Sequence, residues 1–120
     1  MTLKELKQID ITIKNLRKEK PSKPYQVKVD HSSPLGNPFY MKKFESEVRR
    51  EHVCWEYDMY FHRMVNNNIH DIVVELERLL SIYQKYGKLE LFCWCYPKKC
   101  HAETIKLYLI KKVKEIKKYG

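Results

Sequence analysis

No apolar run in this chain approaches the roughly 18 to 20 residues that a membrane helix needs, and the opening residues Met1 to Leu6 lack the apolar core of a signal peptide. Both absences predict a soluble, cytoplasmic protein. A disulfide framework is missing too: three of the four cysteines are crowded together, and Cys93 and Cys95, one residue apart on an expected strand, point the same way but are poorly placed to bridge. Reduced thiols fit the cytosol. No internal repeat occurs, and no named DNA- or RNA-binding motif is present. What remains is a chain of 120 residues, 43% hydrophobic, which is enough for one core and predicts a single domain over residues 1–120.

The net charge of +9 is unevenly placed. Residues 1–23 carry seven Lys/Arg against three Asp/Glu, residues 98–120 eight against two, and residues 24–97 nine against ten. The excess therefore sits at the two ends, with residues 1–8 read as a flexible basic arm and residues 111–120 as the lysine-rich end of a helix. Such a distribution attracts phosphate polymers and other anions, so a nucleic-acid partner through the basic termini is one expectation. Simple solvation of a lysine-rich face is the plainer one.

Ile9, Ile11 and Ile13 alternate with Asp10, Thr12 and Lys14, and Tyr25, Val27 and Val29 alternate with Gln26, Lys28 and Asp30. That period of two predicts two strands, each with one buried face. Their connection, Lys18 to Pro24, is too short for a usual parallel crossover, so the two are an antiparallel pair or are not neighbours. From Phe44 to about Val65 the positions Val53, Tyr57, Tyr60, Phe61 and Met64 fall at helical spacing. Aromatics so spaced belong to a core more often than to a stacking platform for bases. Ile72, Leu76, Leu79, Leu80 and Tyr83 predict a second helix that Gly87 terminates. Leu89 to Tyr96 reads as a third strand, almost continuously apolar and therefore central, with both faces buried. A third helix follows, with Ile105, Leu109, Val113 and Ile116 as its buried stripe. The expected fold is a small Rossmann-like α/β sandwich: a short mixed sheet of about three strands with helices packed on it.

Two irregular segments each follow a strand end, and ligands of open α/β sheets bind beyond those ends. In the first, His31 to Phe39, two serines, two prolines and a glycine break every regular period. In the second, Cys93 to His101, three cysteines and a histidine precede the last helix. Three chemistries are open there. Cys93, Cys95, Cys100 and His101 are ligand types that zinc prefers, but CxCx4CH is not a usual zinc spacing, and core cysteines with a capping histidine explain them as simply. Cys100 at a helix N-terminus, beside Lys98 and Lys99, would have a favoured thiolate and could act as a nucleophile, although His101, its immediate neighbour, is poorly placed as its base. Anion or nucleotide binding asks least, because backbone N–H groups near Cys100 to Glu103 are free at a helix start. In that third picture His31, Ser32, Ser33, Gly36, Asn37 and Cys95 line the ligand. His101 contacts a phosphate or acts as a general acid, and His101 and Cys100 are the catalytic candidates.

The segments SPLGNPF (Ser33 to Phe39) and CxPxxCH (Cys95 to His101), paired in one chain, resemble the signature of the family catalogued as domain of unknown function 4326, found in bacteria and their viruses. Asn15, Leu16 and Arg17 resemble its opening motif, and the likeness runs from about Ile9 to Leu109. His31 departs from it, since members more often show arginine there. The strand-then-CH-helix turn is also similar to one in another uncharacterised Rossmann-like family. The resemblance implies an α/β fold and brings no reaction with it. The expected partner is thus a phosphate-bearing, nucleotide-like small molecule held between the 31–39 loop and the 95–101 turn, with no membrane and no required cofactor. The alternative is a basic nucleic-acid-binding accessory protein whose cysteine and histidine turn is structural.

Overall fold

The computed structural model describes residues 9–30, 32–38, 47–94 and 101–119, with side chains outside Glu47 and residues 117–119. Three strands and three helices follow in the order β1 (Ile11–Asn15), β2 (Gln26–Lys28), α1 (Glu47–Asn66), α2 (His70–Tyr86), β3 (Leu89–Cys93) and α3 (Ala102–Tyr119). The sheet order is β1-β3-β2. As expected, the last strand is central, and of the two arrangements left open for the first two strands they take the one in which they are not neighbours. Both pairings are parallel, with Ile11 opposite Leu89 and Val27 opposite Leu91, so the expected mixed sheet is a parallel one among the described strands. The reason is that β3 lies between β1 and β2, which lets an irregular connection carry the chain past it without an antiparallel turn.

Residues opposite one another in a parallel ladder share a face. One face therefore carries Ile11, Ile13, Val27, Leu89, Leu91 and Cys93, and onto it the helices lay Tyr57 and Phe61 of α1, Leu76 and Leu79 of α2, and Ile105 and Leu109 of α3 in one apolar cluster. Leu89, Leu91, Phe92 and Cys93 are wholly buried, as a central strand requires. Glu90, on the other face with Phe92, is buried as well. It is held by Gln26 Nε2 at 2.7 Å, Lys88 Nζ at 3.6 Å and Lys14 Nζ at 3.8 Å. These partners hold the Glu90 carboxyl below the usual range against the opposing effect of burial, which is the largest single influence on it.

α2 ends as its sequence predicts. Gly87 takes φ +68°, the left-handed region, and its N–H donates to the Tyr83 carbonyl at 2.7 Å. Two details differ from expectation. β3 stops at Cys93, and Trp94 leaves the ladder 46% exposed, while Cys95 and Tyr96 lie outside the described residues. Ile116, expected in the buried stripe of α3, is exposed. At about 1.5 Å per residue the helix runs on past strands of five residues, so its last turns have no sheet beneath them. Trp55, unlike Tyr57 and Phe61, points out of the core. The expected basic arm, residues 1–8, lies outside the described residues.

Candidate functional site

Because the three strands are parallel, Asn15, Lys28 and Cys93 finish at one edge of the sheet, and the backbone ladder continues just beyond them. Leu16 N donates to the Cys93 carbonyl and Val29 N to the Phe92 carbonyl, each at 2.9 Å. Asn15 Oδ1 accepts from Arg17 N at 2.7 Å, turning the chain away. The stretch from Asp30 to Leu35 instead folds back on itself. Ser33 N donates to the Asp30 carbonyl and Gly36 N to the Ser33 carbonyl at 2.9 Å, and Ser33 Oγ accepts from Leu35 N at 3.0 Å. This is the serine turn chemistry that the sequence composition implies.

Three side chains from distant parts of the chain clamp this turn. The Asp30 carboxylate, buried, accepts from Ser32 N at 3.1 Å, from Ser32 Oγ, and from Trp94 Nε1 at 3.0 Å. Tyr57 of α1 donates its hydroxyl to the Leu35 carbonyl at 2.7 Å. His101, one residue before α3, sets Nε2 against the Val29 carbonyl. Since a carbonyl only accepts, Nε2 carries the proton. The His101 ring also meets the Tyr57 ring edge-on, with centroids 5.0 Å apart. Burial pushes the His101 imidazole below its ordinary value, against the Val29 hydrogen bond and the negative Asp30, which favours the neutral ring. Its own carbonyl starts the helix by accepting from Thr104 N at 3.1 Å.

Beside the turn, at the outer edge of β2, lies a depression of about 380 Å³ whose lining includes Lys28, Ser32, Ser33, Pro34, Glu75 and Arg78. Arg78 and Glu75 are paired there at 2.5 and 2.9 Å, and the carboxylate keeps the arginine protonated through hydrogen bonding. Of the residues expected to bind ligand, Ser32, Ser33, Gly36 and Asn37 are on this loop, and His101 is tied to its base. His31, Cys95 and Cys100 lie outside the described residues. For the zinc alternative, Cys93 is wholly buried and no three His, Cys, Asp or Glu side chains gather as a metal site among the described residues.

The family model described as Domain of unknown function (DUF4326) matches residues 13–111. The chain belongs to that family. No curated protein matches the chain, and no solved structure does. The matched DUF4326 region takes in β2, β3, all but the first two residues of β1 and all but the end of α3, so it contains every group of the clamped turn. Sequence patterns did not single out Trp94, Lys28 or Arg78, and Tyr57 was legible only as core. A tryptophan directly after a buried strand end, facing an aspartate two residues after another, is the signal that was available. No helix of the described residues is long and apolar enough to cross a membrane.

Proposed function

We propose that the protein binds a phosphate-bearing, nucleotide-like small ligand at the carboxyl edge of its sheet, between the 31–39 loop and the 95–101 turn. The observation that carries this is the clamping of Asp30 to Leu35 by groups from α1, from the end of β3 and from the start of α3. A turn held from three sides keeps its hydroxyls and amides in place before a ligand arrives, which reduces the ordering cost of binding. The edge is also the one at which open α/β sheets receive ligands.

Two features favour a phosphate. Lys28 and Arg78 stand with Ser32 and Ser33 around the adjoining depression, and a helix of 18 residues begins at Ala102 with its first-turn N–H groups at this edge. Ser33 and Asn37 are suited to a sugar or base, offering a hydroxyl and an amide. The test is a thermal-shift series on the reduced full chain with AMP, ADP and ADP-ribose at low and high salt. A nucleotide should raise the midpoint, by an amount equivalent to about 2.7 kcal/mol at a hundred times its Kd. The shift should survive salt and disappear in Asn37→Ala. Absence of any shift, together with salt-labile binding of nucleic acid, would replace this reading with the polymer-binding one.

A further inference from the structure

His101 is more than nine-tenths buried, yet among the described residues only one of its ring nitrogens has a partner. Nε2 gives its proton to Val29. Nδ1 points away from that carbonyl by the geometry of the ring, and in a neutral imidazole it is a lone-pair acceptor. Among the described residues no group donates to it. The surroundings keep this arrangement. The Val29 carbonyl fixes the tautomer from β2, the Asp30 carboxylate stands next along the chain, and Tyr57 of α1 offers a ring edge and directs its hydroxyl to Leu35. On α3, Thr104 turns its hydroxyl to Asp58 at 3.2 Å, away from the ring.

We propose that His101 is the hydrogen-bond acceptor of the site: its Nδ1 receives a bond from a hydroxyl or amino group of the ligand, so this corner reads the sugar or base and not the phosphate. The inference rests on the nucleotide-binding reading above. It assigns recognition of anionic oxygen elsewhere, because a neutral Nδ1 without a proton repels a phosphate oxygen and attracts only a donor. Nδ1 is not among the enclosed unpaired atoms, so a ligand can reach it, and a ligand that covers it without supplying the donor leaves it unpaired.

Two variants separate the two nitrogens. H101Q puts an amide nitrogen near the position of Nε2 and so retains a donor for Val29, while it loses the acceptor; H101N puts its oxygen near Nδ1 and loses the Val29 bond. The probes are AMP, its 2′,3′-dideoxy analogue and its analogue lacking the exocyclic amino group, measured by calorimetry on the full chain. Wild type should bind AMP about tenfold or more tightly than one of the two analogues, and H101Q, folded with a near-normal melting midpoint, should lose that preference. H101N should melt earlier and keep the preference. Nitrogen-15 spectra of the histidine rings supply an independent readout: a protonated Nε2 and a bare Nδ1 in the free protein, with the Nδ1 resonance moving when AMP is added. Folded H101Q that still prefers AMP, or an Nδ1–H tautomer, overturns the proposal and leaves nucleotide binding standing. A wild-type chain that binds none of the three probes overturns both.

Discussion

Removing a single oxygen from Tyr57 is the sharpest test of how the loop is held. Tyr57→Phe leaves the ring, which packs on Phe61 with centroids 5.9 Å apart and on the His101 ring, and deletes the hydroxyl that reaches the Leu35 carbonyl. Both residues are about 1% exposed, so no water replaces the donor and the carbonyl is left unsatisfied. That loss is worth about 1–3 kcal/mol. For 120 residues the unfolding entropy is about 0.25 kcal/mol per kelvin, so a loss near 2 kcal/mol lowers the melting midpoint by about 8 °C. In urea the midpoint should fall by about 1 M with the slope unchanged. Hydrogen exchange adds a local readout. The Gly36 amide, bonded to the Ser33 carbonyl at 2.9 Å, should exchange faster by more than the global destabilisation accounts for. A urea midpoint within about 0.2 M of wild type and unchanged Gly36 exchange would refute the idea that α1 holds this turn.

Replacing Asp30 with alanine should orphan the Trp94 indole N–H and the Ser32 N–H together, with Trp94 emission shifting red and stability falling by about 1–3 kcal/mol in urea titration. An unmoved emission spectrum in an Asp30→Ala, Trp55→Phe background would refute the contact. Gly87→Ala should lower stability by about 1–2 kcal/mol from backbone strain alone, because φ is +68° while a Cβ there would meet nothing within 4 Å. Substitution by asparagine, which tolerates that conformation, should cost less, and equal costs would count against this cause. Stability should also depend on pH through His101. Its value is lower folded than unfolded, so the unfolded chain binds more protons as pH falls past the ordinary histidine value near 6.5. The contribution is therefore whole above that pH and declines below it, and the slope between pH 7 and 5.5 should flatten in H101Q.

Sequence periodicity made the helices and the central strand legible because their buried faces repeat locally. Ile72, Leu76, Leu79 and Tyr83 are all buried, and Gly87 caps the helix they define. The parallel direction of β2 was not legible, since strand polarity depends on where β3 enters and not on the pattern within β2. The clamped turn was half legible. Its serines and glycine announce an irregular loop, and His101 announces a helix start. That the Val29 carbonyl meets His101 across 72 residues, or that Asp30 meets Trp94 across 64, follows only from the ordering of the strands. Glu90 was hidden for a different reason: a carboxylate in an apolar strand is readable as buried only when Gln26, Lys14 and Lys88 are seen to converge on it.

The strand order also governs the birth of the molecule on the ribosome. Among the described strands, β1 and β2 pair only with β3, so neither finds a backbone partner until residues 89–93 have been made. At about 5–20 residues per second, the 61 positions from Lys28 to Leu89 keep them waiting for about 3–12 s. In that interval the emerging chain can form α1 and α2 as local helices but no sheet, and the Asp30 turn has neither Trp94 nor His101 to hold it. A translational pause placed before codon 89 would therefore prolong the stage at which two unpaired β segments are exposed, whereas a pause after residues 89–93 have emerged from the ribosome would act on a chain whose sheet can already close.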